Sequence, residues 1–561
     1  MIELHQIRDW IISSAEWVTI AALVPVFVIA RWKRLDPFFT GPTGWLLANE
    51  RRPMIAVFAL ALLAGAVTSA VRPAWPIVHD EYSYLLAADT FAHGRVTNPT
   101  HPFWQHFETF HVLQQPSHQS KFPPAQGLFL AVGQVLTGAP IVGVWLSLAL
   151  ACGALYWCLR GWAPRIWALF GATLPCIRFG SGVFWEHEFW AYWSASYWGG
   201  AVALLGGCLA LGAAPRLLRN PRRRHSLLLG LGFGVLAASR PFEGLIVAVL
   251  ISAVLLVALV QRSGWAAAIG KLAPALLVVA GCLTLLSFYH WRVTGSLFMS
   301  PYSVYADTYD VVPVFTFQEL GAEPEYRHEP LRRFHLGSMV RNFQYQQKGP
   351  GIDIRNLRHL GDFFLGPSLT LVMTLGLFWR SRWLLLILLA LLAAAWSHAV
   401  TLSAMFRPHY FAPFAPMLLL LVINGLRILH TFRFRRYFVG APIARAVAVS
   451  CVLVFAAGVV LRARAQWPLM GRWNQLESGR RQVVEQLSDK GPNHLVFVRY
   501  KPEHNVHHEW VYNLSDMDEA PVIWAREMTP VENMALREYY GDRQAWIVEA
   551  DERPLRLLTY E

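Results

Sequence analysis

The sequence predicts a mainly α-helical, polytopic membrane protein with about twelve transmembrane helices, periplasmic loops that carry interfacial helices, and a small C-terminal α/β domain. Three observations predict it. The 561 residues are 55% hydrophobic and only 15% charged, with a mean hydropathy of +0.35, which lies outside the usual range of soluble domains. Apolar runs close to the ~20 residues needed to cross a bilayer recur along most of the chain. Lys and Arg gather in every second loop between those runs.

Taken in order, the apolar runs fall at 11–30, 54–71, 140–159, 166–184, 199–214, 227–239, 242–260, 272–291, 367–378, 383–400, 409–429 and 441–461. The basic loops are those with Arg31, Lys33, Arg34, Arg51 and Arg52, then Arg160 and Arg165, then Arg216 to Arg224, then Arg262 and Lys271, then Arg380 and Arg382, then Arg427 to Arg436. Positive loops stay in the cytoplasm, so both termini and all long polar stretches are expected on the periplasmic face of a bacterial inner membrane. The first run is too long for a signal peptide, and Glu3 and Asp9 precede it where basic residues would be needed.

Two long outer loops, 72–139 and 292–366, then belong to a membrane part spanning 1–461. The tail 462–561 forms a separate periplasmic domain. Within the first loop, 123–137 (PPAQGLFLAVGQVLT) is apolar but too short to span, and reads as an interfacial helix. In the tail, helices are expected at 472–487 and 530–540, and strands at 494–499, 522–525 and 545–548.

The formal charge of +13 does not indicate nucleic acid, because the basic residues sit in short loops that orient helices. All six cysteines lie in apolar runs and read as packing residues. Gly230-Leu231-Gly232-Phe233-Gly234 superficially suggests a nucleotide loop, yet no strand precedes it, and close helix packing is the better account. Histidines collect at 101, 106, 111 and 118 and at 504, 507 and 508 without a closed four-ligand zinc spacing.

Chemistry is expected at the outer helix ends. His79-Asp80-Glu81-Tyr82 follows the second run, and adjacent carboxylates at a membrane surface are costly unless used. Lys121-Phe122-Pro123-Pro124 opens the interfacial helix, and Arg178 and Trp185-Glu186-His187-Glu188 mark the next outer loop. Arg240-Pro241-Phe242-Glu243, Tyr302 within an aromatic stretch, and Arg407-Pro408-His409-Tyr410 complete the set. Each has a plainer account: helix capping for Asp80-Glu81, head-group anchoring for Lys121, Arg407 and the tyrosines, and a structural ion pair for Arg178.

In the order of these motifs along 54–461, the chain resembles membrane glycosyltransferases of the GT-C superfamily, among them protein O-mannosyltransferases and lipid A aminoarabinose transferases. Glu186-His187-Glu188 and the extra first helix depart from that pattern. The resemblance implies inverting transfer of a sugar from a polyprenyl-phosphate carrier to a periplasmic acceptor. Asp80, beside Glu81, would take the acceptor's proton. Lys121, Arg240, Arg407 and Tyr410 would hold the donor phosphate, with Glu186, His187, Glu188, Arg178 and Tyr302 as acceptor or auxiliary groups. A Mg2+ or Mn2+ ion at Asp80 and Glu81 stays open at this stage. So do two other functions, a polysaccharide polymerase or ligase and a lipid-linked glycan flippase or transporter.

Overall fold

A computed structural model of the chain describes residues 17–29, 44–71, 74–76, 78–178, 193–347, 360–361, 363–381, 383–400, 408–435, 437, 439–466, 475–491 and 493–560. Among them, five helices are long and apolar enough to cross a membrane, with shorter apolar helices between them. In chain order the helices of the bundle are α1 (Trp17–Ile29), α2 (Arg51–Val71), α5 (Pro140–Arg160), α6 (Arg165–Arg178), α7 (Ala201–Arg219), α8 (Arg223–Ala237), α9 (Pro241–Thr294), α11 (Gly366–Gly376), α12 (Trp383–Val400), α13 (Ala415–Thr431) and α14 (Gly440–Gln466). Outside the bundle, α3 (His79–Ala92) and α4 (Pro124–Thr137) belong to the segment 72–139, the first outer loop expected from the sequence, and α10 (Pro301–Tyr309) to the segment 292–366.

The long α9 consists of two helical runs joined at a kink. At Gly264 the backbone turns left-handed, with φ 77°, between Arg262 and Lys271, and so breaks one helical run into the two that the sequence separates. Outward side chains such as Leu245, Val257, Leu277 and Leu285 are 56–74% exposed and form an apolar surface suited to lipid.

Small residues let the helices approach. A Cβ at Gly230 would sit 2.5 Å from the Ala275 carbonyl, and one at Gly234 would sit 2.4 Å from Cys282 Sγ, so this glycine run packs α8 on the second half of α9. The arginines of the basic loops close one end of the bundle. Arg160 and Arg165 pair with Glu50 at 2.7 and 3.0 Å, Arg216 donates to the Trp157 carbonyl, Arg219 to Gly161 and Arg262 to Leu218. These bonds satisfy carbonyls at helix C-termini, where cations are favoured.

Residues 475–559 form a four-stranded sheet in the order β4 (Val522–Arg526), β3 (His494–Arg499), β5 (Gln544–Glu549), β6 (Arg556–Thr559). The first three strands are parallel and β6 is antiparallel. Leu495–Val498 reads as an unbroken apolar run because both faces are covered. Val496 and Val498 meet Val483 and Leu487 of α15 (Gln475–Ser488), while Leu495 and Phe497 meet Leu536 of α16 (Pro530–Tyr539) and Phe107 of the first outer loop.

Candidate active site

Helix α3 begins where Val78, in extended conformation, serves as its N-cap. Glu81, at the third helical position, folds back so that one carboxylate oxygen accepts from the Val78 N–H at 3.3 Å, while the other accepts from the Tyr197 N–H at 2.9 Å. Its side chain is buried and held from both sides by backbone donors. Asp80, one residue earlier, points about 100° away around the helix. It is a quarter exposed, with Oδ2 3.9 Å from His111 Nε2. The two adjacent carboxylates therefore occupy different environments.

Asp80 faces a cluster drawn from four other segments. Its charge bears on Lys121, Tyr302 and Tyr410, and that of Arg240 bears on Tyr302 and Tyr410. Lys121 follows β2 (Gln119–Ser120), which pairs with β1 (Val112–Leu113), and its N–H donates to the His111 carbonyl at 3.1 Å. The Lys121 ammonium lies 4.3 Å from the ring centre of Tyr305, 4.9 Å from Tyr302 and 5.5 Å from Phe122. Burial pushes this amine below the usual lysine range, against the pull of Asp310 and then Asp80. Arg240, at the start of α9, stacks its guanidinium 4.5 Å from the ring of Tyr410, which lies on the turn Pro408–Phe411 before α13.

Four sequence-selected groups thus gather with Asp80: Lys121, Arg240, Tyr410 and Tyr302. Glu186, His187, Glu188 and Arg407 lie outside the described residues, as does the side chain of Arg178. Asp80 and Glu81 do not make a pair of cation ligands, because Glu81 spends both oxygens on backbone N–H groups and Asp80 faces a lysine. No step below uses a divalent ion. Among the described residues no group of three or more His, Cys, Asp and Glu is suited to hold a metal.

Other residues around the site received no catalytic or binding role from the sequence. His79 is buried against Phe110, with centroids 4.2 Å apart, and its Nδ1 meets the Tyr512 hydroxyl at 2.8 Å. Burial holds both His79 and His111 well below the ordinary histidine range, so they are neutral at pH 7. Tyr82 stacks on Tyr512 with ring centres 4.2 Å apart and planes 3° from parallel. Asp89 accepts from the N–H and hydroxyl of Ser515 and from Gln134, tying α3 to the C-terminal segment and to α4. Beyond Lys121 lie Asp310 and His335, two groups that no short motif marks.

No protein-family model and no curated protein sequence matches the chain. Solved structures do. The apo crystal structure of ArnT from Cupriavidus metallidurans aligns over 91% of this chain and 93% of its own, at 13% identity and TM-score 0.50. The same protein bound to undecaprenyl phosphate aligns over 88% and 92%, at 13% identity and TM-score 0.49. The Archaeoglobus fulgidus oligosaccharyltransferase tethered to an acceptor peptide aligns over 88% of this chain and 69% of its own, at 12% identity and TM-score 0.45. At such low identity a likeness is one of fold alone, and it is carried by the apo ArnT alignment: the chain has the fold of that structure.

Proposed function

We propose that the chain is an inverting glycosyltransferase that moves a sugar from a polyprenyl-phosphate carrier to a lipid, glycan or protein acceptor at the periplasmic face of a bacterial inner membrane. In this reading, 1–461 is a membrane part of about twelve spans and 462–561 a periplasmic α/β domain. One observation carries it. A carboxylate, an ammonium, a guanidinium and two phenols from five separate segments lie within electrostatic reach of one another near helix ends of an apolar bundle, with Lys121 against Tyr302 and Arg240 against Tyr410.

The chemistry follows from what each group can do. The Asp80 carboxylate takes the proton of the acceptor hydroxyl as its oxygen attacks the anomeric carbon. The bond from that carbon to the phosphate oxygen breaks, and the electron pair leaves on the lipid phosphate. That leaving group needs charge neutralisation more than a proton, and Lys121 and Arg240, together with Arg407, supply it. Displacement in one step from the face opposite the phosphate inverts the anomeric centre. Glu81 keeps its partners and orients the turn that carries Asp80. Tyr410, against which Arg240 stacks, stays with the phosphate-holding groups, and Tyr302, Glu186, His187, Glu188 and Arg178 retain an acceptor-side or auxiliary assignment. The ready source of the donor is the bilayer, where its tail stays in hydrocarbon while the phosphate meets the cations.

The test is transfer from defined polyprenyl-phosphate sugars by purified protein. Asp80→Asn keeps shape and removes the base, so turnover is expected to fall about 100-fold or more. Near-normal turnover in that variant would remove Asp80 from the reaction, and movement of intact glycans across the bilayer without bond exchange would assign a flippase instead.

A further inference from the structure

Lys121 is only 6% exposed, and an ammonium so deep must be held by its surroundings. The face it rests on most closely is the ring of Tyr305, which is fully buried. The Tyr305 hydroxyl is itself fixed from two directions. It accepts from the His111 N–H at 3.0 Å and meets His335 Nε2 at 3.3 Å. On the far side of that imidazole, Nδ1 lies 2.9 Å from Asp310 Oδ1. A ring whose Nδ1 carries its proton on the carboxylate side leaves Nε2 to accept from the phenol, and the Nδ1···Oδ1 approach is a close ion-pair contact without the alignment of a hydrogen bond. His335 is placed by a seven-residue π-helical stretch, Arg333–Met339, a local distortion that re-aims a side chain.

We propose that Asp310, His335 and Tyr305 are a positioning chain for Lys121, holding its ammonium charged and aimed at the donor phosphate. The assignment rests on the transferase reading above. Asp310 acts in two ways: its charge bears directly on the ammonium, ahead of that of Asp80, and its contact with His335 fixes the ring beneath. None of the three need touch the substrate.

The sign of the effect separates positioning from simple electrostatics. If Asp310 were only a nearby negative charge, removing it would tighten phosphate binding. If it positions Lys121, removing it weakens binding, and does so only while Lys121 is present.

The experiment uses the purified full-length protein, a polyprenyl phosphate as probe, and mass-spectrometric rates of reductive methylation at Lys121. Asp310→Asn is expected to speed methylation several-fold, because the amine loses a counter-charge. It should weaken lipid-phosphate binding about tenfold, the scale of a well-placed cation–π contact. In a Lys121→Met background the same change should alter binding less than about twofold. Tyr305→Phe keeps the ring, loses its anchor and should give a smaller change in the same direction, which guards against misfolding of the first variant. Unchanged methylation, tighter binding in Asp310→Asn, or an equal effect without Lys121 would each overturn the chain. Wild-type protein that fails to bind the lipid phosphate would instead defeat the transferase reading, and the methylation rates would still judge the chain.

Discussion

Adjacent residues can carry opposite duties when a helix turns them apart. Glu81 closes the start of α3 and bonds the Tyr197 backbone, which is the capping account that any acidic helix N-terminus invites. Asp80 meets His111, Lys121 and the tyrosines instead. The pair Asp80-Glu81 was legible as a place where carboxylates matter, but which of the two faces the cluster was not, because that depends on the rotation of a helix whose sequence, HDEYSYLLAADTFA, has no clear apolar stripe. Glu81→Ala is therefore expected to destabilise the protein by about 1–3 kcal/mol, since two buried N–H groups lose their acceptor. Glu81→Gln, which keeps one acceptor, should cost less. Equal thermal midpoints for wild type and both variants would show that Glu81 does not hold the turn.

At the scale of elements, the apolar runs gave the membrane helices because the bilayer requires long stretches of one polarity, and Arg262 with Lys271 marked the break in α9. The segment Pro124–Thr137 forms a helix with Leu128, Val132, Val135 and Leu136 exposed along one side, the face suited to the head-group boundary. Strand β6 was missed, since Arg556–Thr559 is short and mostly exposed at a sheet edge. The π-helical stretch was missed because five-residue hydrogen bonding leaves no period to read. The first outer loop offers a pH test. Burial pushes His118 from 6.5 to about 4, so between these values the unfolded chain binds a proton that the folded chain does not. Stability should be fully present above pH 6.5 and fall as the pH drops toward 4. Thermal melts should show that fall, with a shallower slope in His118→Gln; identical slopes would contradict the burial account.

At the scale of the whole molecule, the C-terminal segment is part of the site's walls. Tyr512 bonds His79 and stacks on Tyr82, and a buried arginine of the C-terminal segment bonds the backbone of the 72–139 segment. Arg526 meets Glu509 at 2.5 Å and donates to the Glu108 carbonyl of the first outer loop, whose His106 in turn meets the Arg526 carbonyl. No sequence pattern links Arg526 to Glu108, over four hundred residues away, so this docking was not readable in advance. Arg526→Met should cost about 3–5 kcal/mol by leaving a buried carboxylate unpaired. Denaturant titration measures that loss, and limited proteolysis should show earlier release of the C-terminal segment; wild-type behaviour in both would contradict the docking role.

The convergence of acid and cations on one lipid phosphate is tested most directly by solving the structure of the protein with a polyprenyl phosphate bound. The account predicts the phosphate within hydrogen-bond reach of Lys121 and Arg240, its tail along the apolar bundle, and Asp80 facing the position of the departing sugar. A phosphate seated elsewhere, with Lys121 and Arg240 apart from it, would contradict the account.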